Sequence, residues 1–224
     1  MGQGAWEVSQ ASFFERTIMT LSVYLAFVVA SLVLAVAPGP DNLFVLVQSS
    51  LFGARAGLFV VAGLISGLVV QTLAAALGVA AVVAANPALF WGIRILGAAY
   101  LLYLAFMSWR HPVADAARPA EKMSDVALWR RGAIMNITNP KVQIFFLAFF
   151  PQFVTKGAGS AQTAVEMTIL GVTFMAATAL VFGLIALGAG SIADRMRTPR
   201  VQFWLNRTAA VVFVALAAAT VFAD

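Results

Sequence analysis

Residues 37–42 read Ala37-Pro38-Gly39-Pro40-Asp41-Asn42, and residues 136–141 read Asn136-Ile137-Thr138-Asn139-Pro140-Lys141. Each stretch places helix-breaking residues and an ionisable side chain inside sequence that is otherwise apolar. Non-helical backbone at membrane depth persists only where protein buries it or where it lines a water-filled cavity. Interrupted apolar segments at corresponding places in two halves of a chain indicate a binding site near the membrane midplane.

The composition indicates that the chain lies within a lipid bilayer. Of its 224 residues, 62% are hydrophobic and 10% are charged, whereas soluble domains carry about 25% charged residues. Several apolar runs are long enough for a helix to cross about 30 Å of hydrocarbon, which takes roughly 20 residues. The net charge of +5 is therefore not a sign of a nucleic-acid partner, and we expect none.

Two residue counts exclude whole classes of chemistry. The chain has no cysteine, and His111 is its single histidine. Disulfides, thiol redox chemistry, cysteine-ligated metals and multi-histidine metal sites are therefore excluded. We expect no metal and no prosthetic cofactor.

The apolar pattern predicts an all-α fold of six transmembrane helices, of which the first and fourth contain the two breaks. The predicted helices cover residues 20–37 (continuing beyond the break to residue 50), 58–85, 88–108, 133–154, 164–188 and 203–222.

The distribution of Arg and Lys predicts the orientation in the membrane. The odd-numbered loops hold nine of these residues, and the opposite side holds only Arg16 and Lys156. Because cytoplasmic loops carry an excess of positive charge, we expect the odd loops in the cytoplasm and both termini outside. The nine are Arg55, Arg110, Arg118, Lys122, Arg130, Arg131, Arg195, Arg197 and Arg200.

The two halves of the chain correspond to each other. Pro40-Asp41 aligns with Pro140-Lys141, and small and polar residues surround both pairs. A unit of three helices has an odd number of spans, so its second copy must insert upside down, as in transporters with inverted repeats. We therefore expect a first repeat at 19–109, a cytoplasmic linker at 110–131 and a second repeat at 132–224, preceded by an N-terminal extension at 1–18.

The extension itself has no single interpretation. It fits a surface helix, a non-native remnant or an upstream start. A cleaved signal peptide is not expected, because the segment is not basic and Pro38 directly follows the cleavage-like Ala35-Val36-Ala37.

Asp41 is predicted to lie well inside the bilayer. A single straight helix from Leu21 to Leu51 would be about 47 Å long, so a break is needed. An aspartate at the centre of a transmembrane helix costs about 2.5–3.5 kcal/mol, which implies a partner or water. Asp41 either binds a substrate ammonium, a proton or both, or it serves as a structural ion pair or helix cap.

Lys141 is also predicted at membrane depth. It either receives a substrate carboxylate, pairs with Asp41 when the site is empty, or extends its ammonium to the membrane surface. The half-helix N-termini at the breaks offer free N–H groups to a carboxylate. Five polar residues either complete the lining of the site or are structural: Asn42, Asn136, Thr138, Asn139 and Gln143.

The remaining intramembrane polar residues have simpler interpretations. Arg94 and Arg207 are expected to extend their charges toward the membrane surfaces. Glu166 is expected at the interface, and Gln71 either faces the cavity or hydrogen-bonds across helices. Gly63-x-x-x-Gly67 permits close helix packing. The phenylalanines at 145, 146, 149 and 150 are interpreted as packing residues.

Three segments together carry a resemblance to a known family. They are residues 37–42, Gly97-Ala98-Ala99-Tyr100-Leu101-Leu102-Tyr103-Leu104, and residues 136–141 followed by Phe149-Phe150-Pro151-Gln152-Phe153. In this order and spacing they resemble the LysE/RhtB family of amino-acid exporters over residues 20–222. The resemblance implies efflux across the bacterial inner membrane, driven by the proton gradient. Homoserine, threonine, homoserine lactone, lysine and arginine are substrate types in that family. The extension before Met19 departs from the family pattern.

We therefore expect a secondary exporter of a small neutral or weakly polar amino acid that works by alternating access. Asp41 would bind the ammonium or the coupling proton, and Lys141 would bind the carboxylate. The helix breaks at Pro38, Gly39, Pro40 and Pro140 would act as gates. The expected partners are the amino acid, protons and the lipid bilayer, and a homo-oligomer is compatible with the sequence.

The alternative to a secondary exporter is a channel, or a structural membrane protein without coupled transport. An intramembrane enzyme is disfavoured because the predicted spans contain no cysteine, no histidine and no paired carboxylates.

Overall fold

The regular structure is helical throughout the part of the chain that the computed structural model describes, which is residues 19–37, 39–85, 87–110, 122–155, 159–188 and 198–222. This confirms the predicted all-α class. The helices are α1 (Leu21–Val36), α2 (Pro40–Phe52), α3 (Ala54–Ala85), α4 (Pro87–Arg110), α5 (Asp125–Thr138), α6 (Pro140–Ile144), α7 (Ser160–Leu187) and α8 (Pro199–Phe222). A π-helical turn, Phe145–Phe149, and a 3₁₀ turn, Phe150–Phe153, follow α6.

Several helices can cross a membrane by length and composition. Among the described residues these are Ala54–Gly78, Ser160–Leu187 and Arg200–Val221, and the pair α1 and α2, bent by 58°, gives a fourth if it counts as one span. The other two predicted spans correspond to α4 and to the interrupted segment that begins with α5. The number six and the inverted repeat stay predictions.

Two helix boundaries differ from the prediction for local reasons. The fourth predicted helix begins at Asp125, inside the segment predicted as a linker, because the Ser124 hydroxyl accepts the Ala127 N–H at 3.3 Å as an N-cap. The second begins directly after Gly53, whose φ of 88° lets α2 turn into α3 within one residue. Such a backbone conformation favours glycine.

The first break leaves backbone carbonyls of α1 without their helical donors. The carbonyl of Leu34 would accept from residue 38, which is a proline without an N–H. The Lys141 ammonium lies 3.5 Å from this oxygen and 3.2 Å from the carbonyl of Ala37. The Asn42 side-chain amide donates to the carbonyl of Ala35 at 2.8 Å. Side chains from both proline motifs therefore satisfy the end of α1.

The second break follows the same chemistry. The carbonyl of Asn136 would accept from residue 140, which is again a proline. The Gln71 amide of α3 donates to this carbonyl at 2.8 Å and to the side-chain oxygen of Asn136 at 3.1 Å. Beyond the break, Gln143 donates to the carbonyl of Ile137 at 2.6 Å. Of the two interpretations of Gln71, the structure therefore supports a hydrogen bond across helices.

Close backbone contact joins α3 to α5. A Cβ at Gly63 would overlap the Trp129 carbonyl, and one at Gly132 would overlap the Val60 carbonyl. A Cβ at Gly67 would be 2.8 Å from the Cβ of Asn136. The predicted close packing at Gly63 and Gly67 is confirmed, and it is a contact within the chain that holds the second break beside Gln71.

An aromatic cluster packs between α1, α7 and the two turns that follow α6. Phe27 of α1 packs edge-on against Phe150 and Phe153, with ring centroids 4.9 and 5.1 Å apart. Phe146 stacks on Phe150 at 4.1 Å, and Phe145 lies 5.1 Å from Phe174 of α7. The four phenylalanines from 145 to 150 are all buried, so their interpretation as packing residues is confirmed.

We expect Gln71→Leu to lower the free energy of unfolding by about 1–2 kcal/mol, because two buried oxygens of Asn136 lose a donor. Denaturant unfolding of the purified protein in micelles measures this. Thr72→Val is the matched control, since the neighbouring Thr72 hydroxyl is buried and has no hydrogen-bond partner among the described residues. Equal stability of the two variants would contradict the assigned role of Gln71.

We also expect Gly132→Ala to destabilise the protein, because the new methyl group would overlap the backbone of α3. Gly183→Ala is the control: its Cβ would meet open space, and alanine is favoured over glycine in a helix by about 1 kcal/mol. The same unfolding measurement should give shifts of opposite sign. A stabilising effect at both positions would show that α3 and α5 are not in backbone contact.

Candidate functional site

Two side chains of the second motif, those of Asn139 and Lys141, reach the first helix break. The Asn139 amide donates to Asp41 Oδ2 at 2.8 Å, and its oxygen accepts the backbone N–H of Lys141 at 3.0 Å. Asn139 therefore caps the helix that starts at Pro140 and at the same time binds the carboxylate of the first break. We call Gly39, Asp41, Asn42, Asn139 and Lys141 the break cluster.

The ammonium of Lys141 lies against the first break. It bonds the carbonyls at the end of α1, and a Cβ at residue 39 would be only 3.2 Å from Nζ. Glycine at position 39 therefore leaves the room that the ammonium needs. Because the group is held among carbonyls at the break, the interpretation in which it extends to the membrane surface is wrong.

Asp41 and Lys141 do not form an ion pair, which was one of the interpretations left open for Lys141. Within the described residues the one ion pair joins Arg55 and Asp125, whose atoms are 2.8 Å apart on an exposed surface. Asp41 binds Asn139 instead, and Lys141 binds carbonyls, although the two charges attract each other across the cluster. The physical reason is that each charge has a closer partner, namely the carbonyls of Leu34 and Ala37 for Lys141 and the Asn139 amide for Asp41.

Two oxygens of the break cluster are buried without a donor. They are Asp41 Oδ1 and Asn42 Oδ1, which have no hydrogen-bond partner in the described part of the chain. Both residues are about 5% exposed or less. A buried acceptor without a donor costs about 1–3 kcal/mol, so these two atoms are candidate acceptors for a cation, a water or a ligand.

A central cavity of about 510 Å³ opens beside the break cluster. It lies between α2, α4, α8 and the start of α6, and it extends toward Ser108, near the end of α4, and Gln202, near the start of α8. Most of its wall is apolar, with the polar groups of the breaks at one place. The lining residues are Val36, Gly39, Pro40, Asn42, Leu43, Leu46, Tyr100, Leu104, Met107, Ser108, Asn139, Pro140, Lys141, Gln202, Leu205, Asn206 and Phe213.

The predicted site residues separate into two groups. Gly39, Pro40, Asn42, Asn139, Pro140 and Lys141 line the central cavity, and Asp41 lies behind them, bonded to Asn139. Asn136 is buried and bonded to Gln71, away from the cavity lining. Thr138 and Gln143 are exposed and bond the backbone of α5, so the structure does not bring them to the cluster. Pro38 lies outside the described residues.

Sequence reasoning missed the wall that α4 and α8 contribute. Tyr100, Leu104, Met107 and Ser108 share one face of α4, and Gln202, Leu205, Asn206 and Phe213 share one face of α8. The signal that was available is the presence of Gln202, Asn206 and Ser108 in apolar helices. Their helical spacing predicts a shared face, but only the packing of α4 on α8 shows that both faces border the same space.

Two of the other polar groups of the helices are buried within the protein. Arg94 stacks on Trp91 and donates from Nε to the Thr220 carbonyl of α8 at 2.8 Å. Glu166 is 2% exposed, and its expected position at the membrane interface stays a prediction. It accepts the backbone N–H of Thr155 at 2.7 Å, the Thr155 hydroxyl and the Gln162 amide. In both cases a backbone group at a helix end is the partner.

Comparisons with known proteins agree with this architecture. A family model described as LysE type translocator matches residues 32–223. A leucine efflux protein of Klebsiella pneumoniae is 30% identical over 203 residues, which are 87% of this chain and 92% of that protein. An uncharacterized membrane protein of Vibrio cholerae is 30% identical over 198 residues, covering 88% of this chain and 95% of the relative.

A further relative from Pseudomonas aeruginosa, also an uncharacterized membrane protein, is 38% identical over 141 residues, which are 60% of this chain and 65% of that protein. No solved structure matches the chain. The family model covers most of the sequence, including both proline motifs and every residue of the break cluster. The chain is therefore a multi-pass membrane protein of the LysE type translocator family.

Proposed function

We propose that this protein exports neutral amino acids with apolar side chains from the bacterial cytoplasm across the inner membrane. The observation that carries the proposal is the central cavity, whose mostly apolar wall ends on a cationic and amide-rich cluster at the membrane-embedded helix breaks. An amino acid of this class has one charged end and one apolar end. Its charged end would meet the break cluster, and its side chain would meet the apolar wall of the cavity. The names of the leucine efflux relatives support the same substrate class.

The carboxylate of the substrate is proposed to bind Lys141. The ammonium lies at the cavity wall, and the first turn of α2 begins beside it at Pro40. The first N–H groups of a helix have no partner within that helix, and they favour an anion. A charge-assisted hydrogen bond to Lys141 and the N-terminus of α2 would then hold the carboxylate from two directions.

The ammonium of the substrate is proposed to bind oxygens on the same side of the cavity. Asn42 Oδ1 lacks a donor among the described residues. The Val36 carbonyl would accept, in an unbroken helix, from residue 40, but Pro40 has no N–H. Both residues line the cavity, which supports their oxygens as the acceptors for the bound ammonium. The aliphatic side chain would then extend along Leu104 and Phe213.

Asp41 is proposed to carry the coupling proton. Its position behind Asn139, outside the cavity lining, supports this role over direct contact with the substrate ammonium. Protonation would weaken the carboxylate as an acceptor for the Asn139 amide. Because Asn139 also caps the helix after the second break, a proton on Asp41 would loosen the joint between the two breaks. This links proton binding to the geometry of the substrate site.

The proposed transport cycle is alternating access between two inverted three-helix repeats, with six spans in all. Both breaks begin a new helix with proline at its first position, which supports a repeated unit. The cavity extends toward the helix ends that adjoin the arginine-rich loops, and the aromatic cluster occupies the other side of the breaks. With the arginine-rich loops in the cytoplasm, this is a conformation ready to load substrate from inside.

Counterflow in proteoliposomes tests the function directly. We expect vesicles of the purified protein preloaded with unlabelled leucine to accumulate external radiolabelled leucine in a saturable manner. Valine and isoleucine should compete, whereas aspartate should not, because its side-chain carboxylate would lie against the apolar residues Leu104 and Phe213. Absence of counterflow with every neutral amino acid would overturn the proposal, and conductance without saturation would favour the channel alternative.

Two charge variants test the assigned roles. We expect Lys141→Met to weaken leucine binding by about 10–100-fold, which corresponds to the loss of one charge-assisted hydrogen bond of roughly 1.5–3 kcal/mol. We expect Asp41→Asn to abolish uptake or efflux driven by a pH gradient while leucine counterflow persists, because exchange needs no proton release. Leucine binding and the two transport modes would be measured side by side.

Matched controls are available on the surface of the same protein. Lys122→Met removes an exposed charge, and Asp125→Asn removes the exposed partner of Arg55, so neither should change transport. Loss of counterflow together with pH-driven transport in Asp41→Asn would assign Asp41 to the substrate ammonium instead. Wild-type rates in both modes would remove Asp41 from the mechanism.

A further inference from the structure

A lateral groove separate from the central cavity runs along the outside of α1 and α8. Its volume is about 500 Å³, and its wall consists of Leu32, Val33, Val36, Ala37, Arg200, Val201, Trp204, Leu205, Thr208 and Ala209. On α8 these positions follow one face of the helix, and the side chains there are apolar except for Arg200 and Thr208. Nothing in the proposed transport mechanism uses Arg200 or Trp204.

The length of the groove matches half of a bilayer. Between Arg200 and Ala209 the helix rises about 13.5 Å at 1.5 Å per residue. Half of a hydrocarbon core of about 30 Å is about 15 Å. Arg200 also begins the apolar span Arg200–Val221, and Ala37, in the α1 wall of the groove, adjoins the break that follows α1. The groove therefore covers one leaflet, from the headgroup level to the membrane midplane.

The mouth of the groove is positively charged and has an interfacial aromatic ring. Arg200 is exposed, and it forms no hydrogen bond or ion pair with any other described residue. Trp204 lies one turn further along α8 and is 62% exposed, as expected for an indole at the headgroup level. This mouth fits a phosphate group, and the charge of Arg200 favours an anionic headgroup.

We propose that the lateral groove is a binding site for an anionic phospholipid, with one acyl chain along α1 and α8 and the headgroup phosphate on Arg200. Since Val36 and Leu205 also line the central cavity, the bound chain would lie against the thin wall that separates the cavity from the bilayer. The ligand class is a lipid of the leaflet that faces the arginine-rich loops. This proposal does not depend on which molecule the protein transports.

Native mass spectrometry of the purified full-length protein tests the site. The probes are dioleoylphosphatidylglycerol and dioleoylphosphatidylcholine, added together at equal concentration. We expect the wild type to retain dioleoylphosphatidylglycerol about fivefold better than dioleoylphosphatidylcholine. This ratio corresponds to one arginine near an anionic headgroup. Arg200→Gln should remove this preference, and Arg200→Lys should keep most of it.

Two matched pairs make the outcome decisive. Arg130→Gln removes another exposed arginine that lies outside the groove, and it should leave the preference unchanged. Thr208→Trp should fill the groove and lower retention of both lipids, whereas Val211→Trp on another face of α8 should not. The proposal is overturned if the wild type shows no preference, if Arg200→Gln and Arg130→Gln behave alike, or if both tryptophan variants retain lipid equally. Retention is measured without transport, so failure here is distinct from failure of leucine counterflow.

Discussion

Backbone carbonyls without helical donors, in surroundings that contain little water, are the constraint on which this structure depends. Each proline of the two motifs removes one N–H, and the carbonyl four residues earlier then needs another donor. Lys141 supplies it to Leu34, and Gln71 supplies one to Asn136 in addition to the backbone N–H of Asn139. In both cases the donor comes from a distant part of the chain, so satisfying a local defect creates a long-range contact.

That requirement explains why the functional groups lie together. The ammonium that completes α1 belongs to the second motif, and the amide that caps the second motif is bonded to Asp41 of the first. Charges that would be unfavourable in lipid are therefore held by groups that themselves need partners. Two acceptors, on Asp41 and Asn42, stay without donors within the described residues, and they lie at or directly behind the wall of the cavity where a substrate would bind.

The features that depend on a single helix could be predicted from the sequence. Proline positions predicted both breaks, and the depth of Asp41 and Lys141 predicted that each would need a partner. The identity of those partners was not predictable, because it depends on distances between helices. Lys141 binds backbone carbonyls and not Asp41, Arg94 binds the Thr220 carbonyl near the end of α8, and Glu166 binds Thr155. Thr138 and Gln143 are polar residues next to the second break, as a binding site would need, but their side chains are exposed and bond the backbone of α5.

The glycine contact between α3 and α5 has a mechanical consequence. Where two backbones touch directly, no layer of side chains remains that could change rotamer to let one helix slide along the other. The two helices then lack a side-chain layer along which one could shift against the other. A change of direction between α5 and α6 is left to Asn139, the one residue between them.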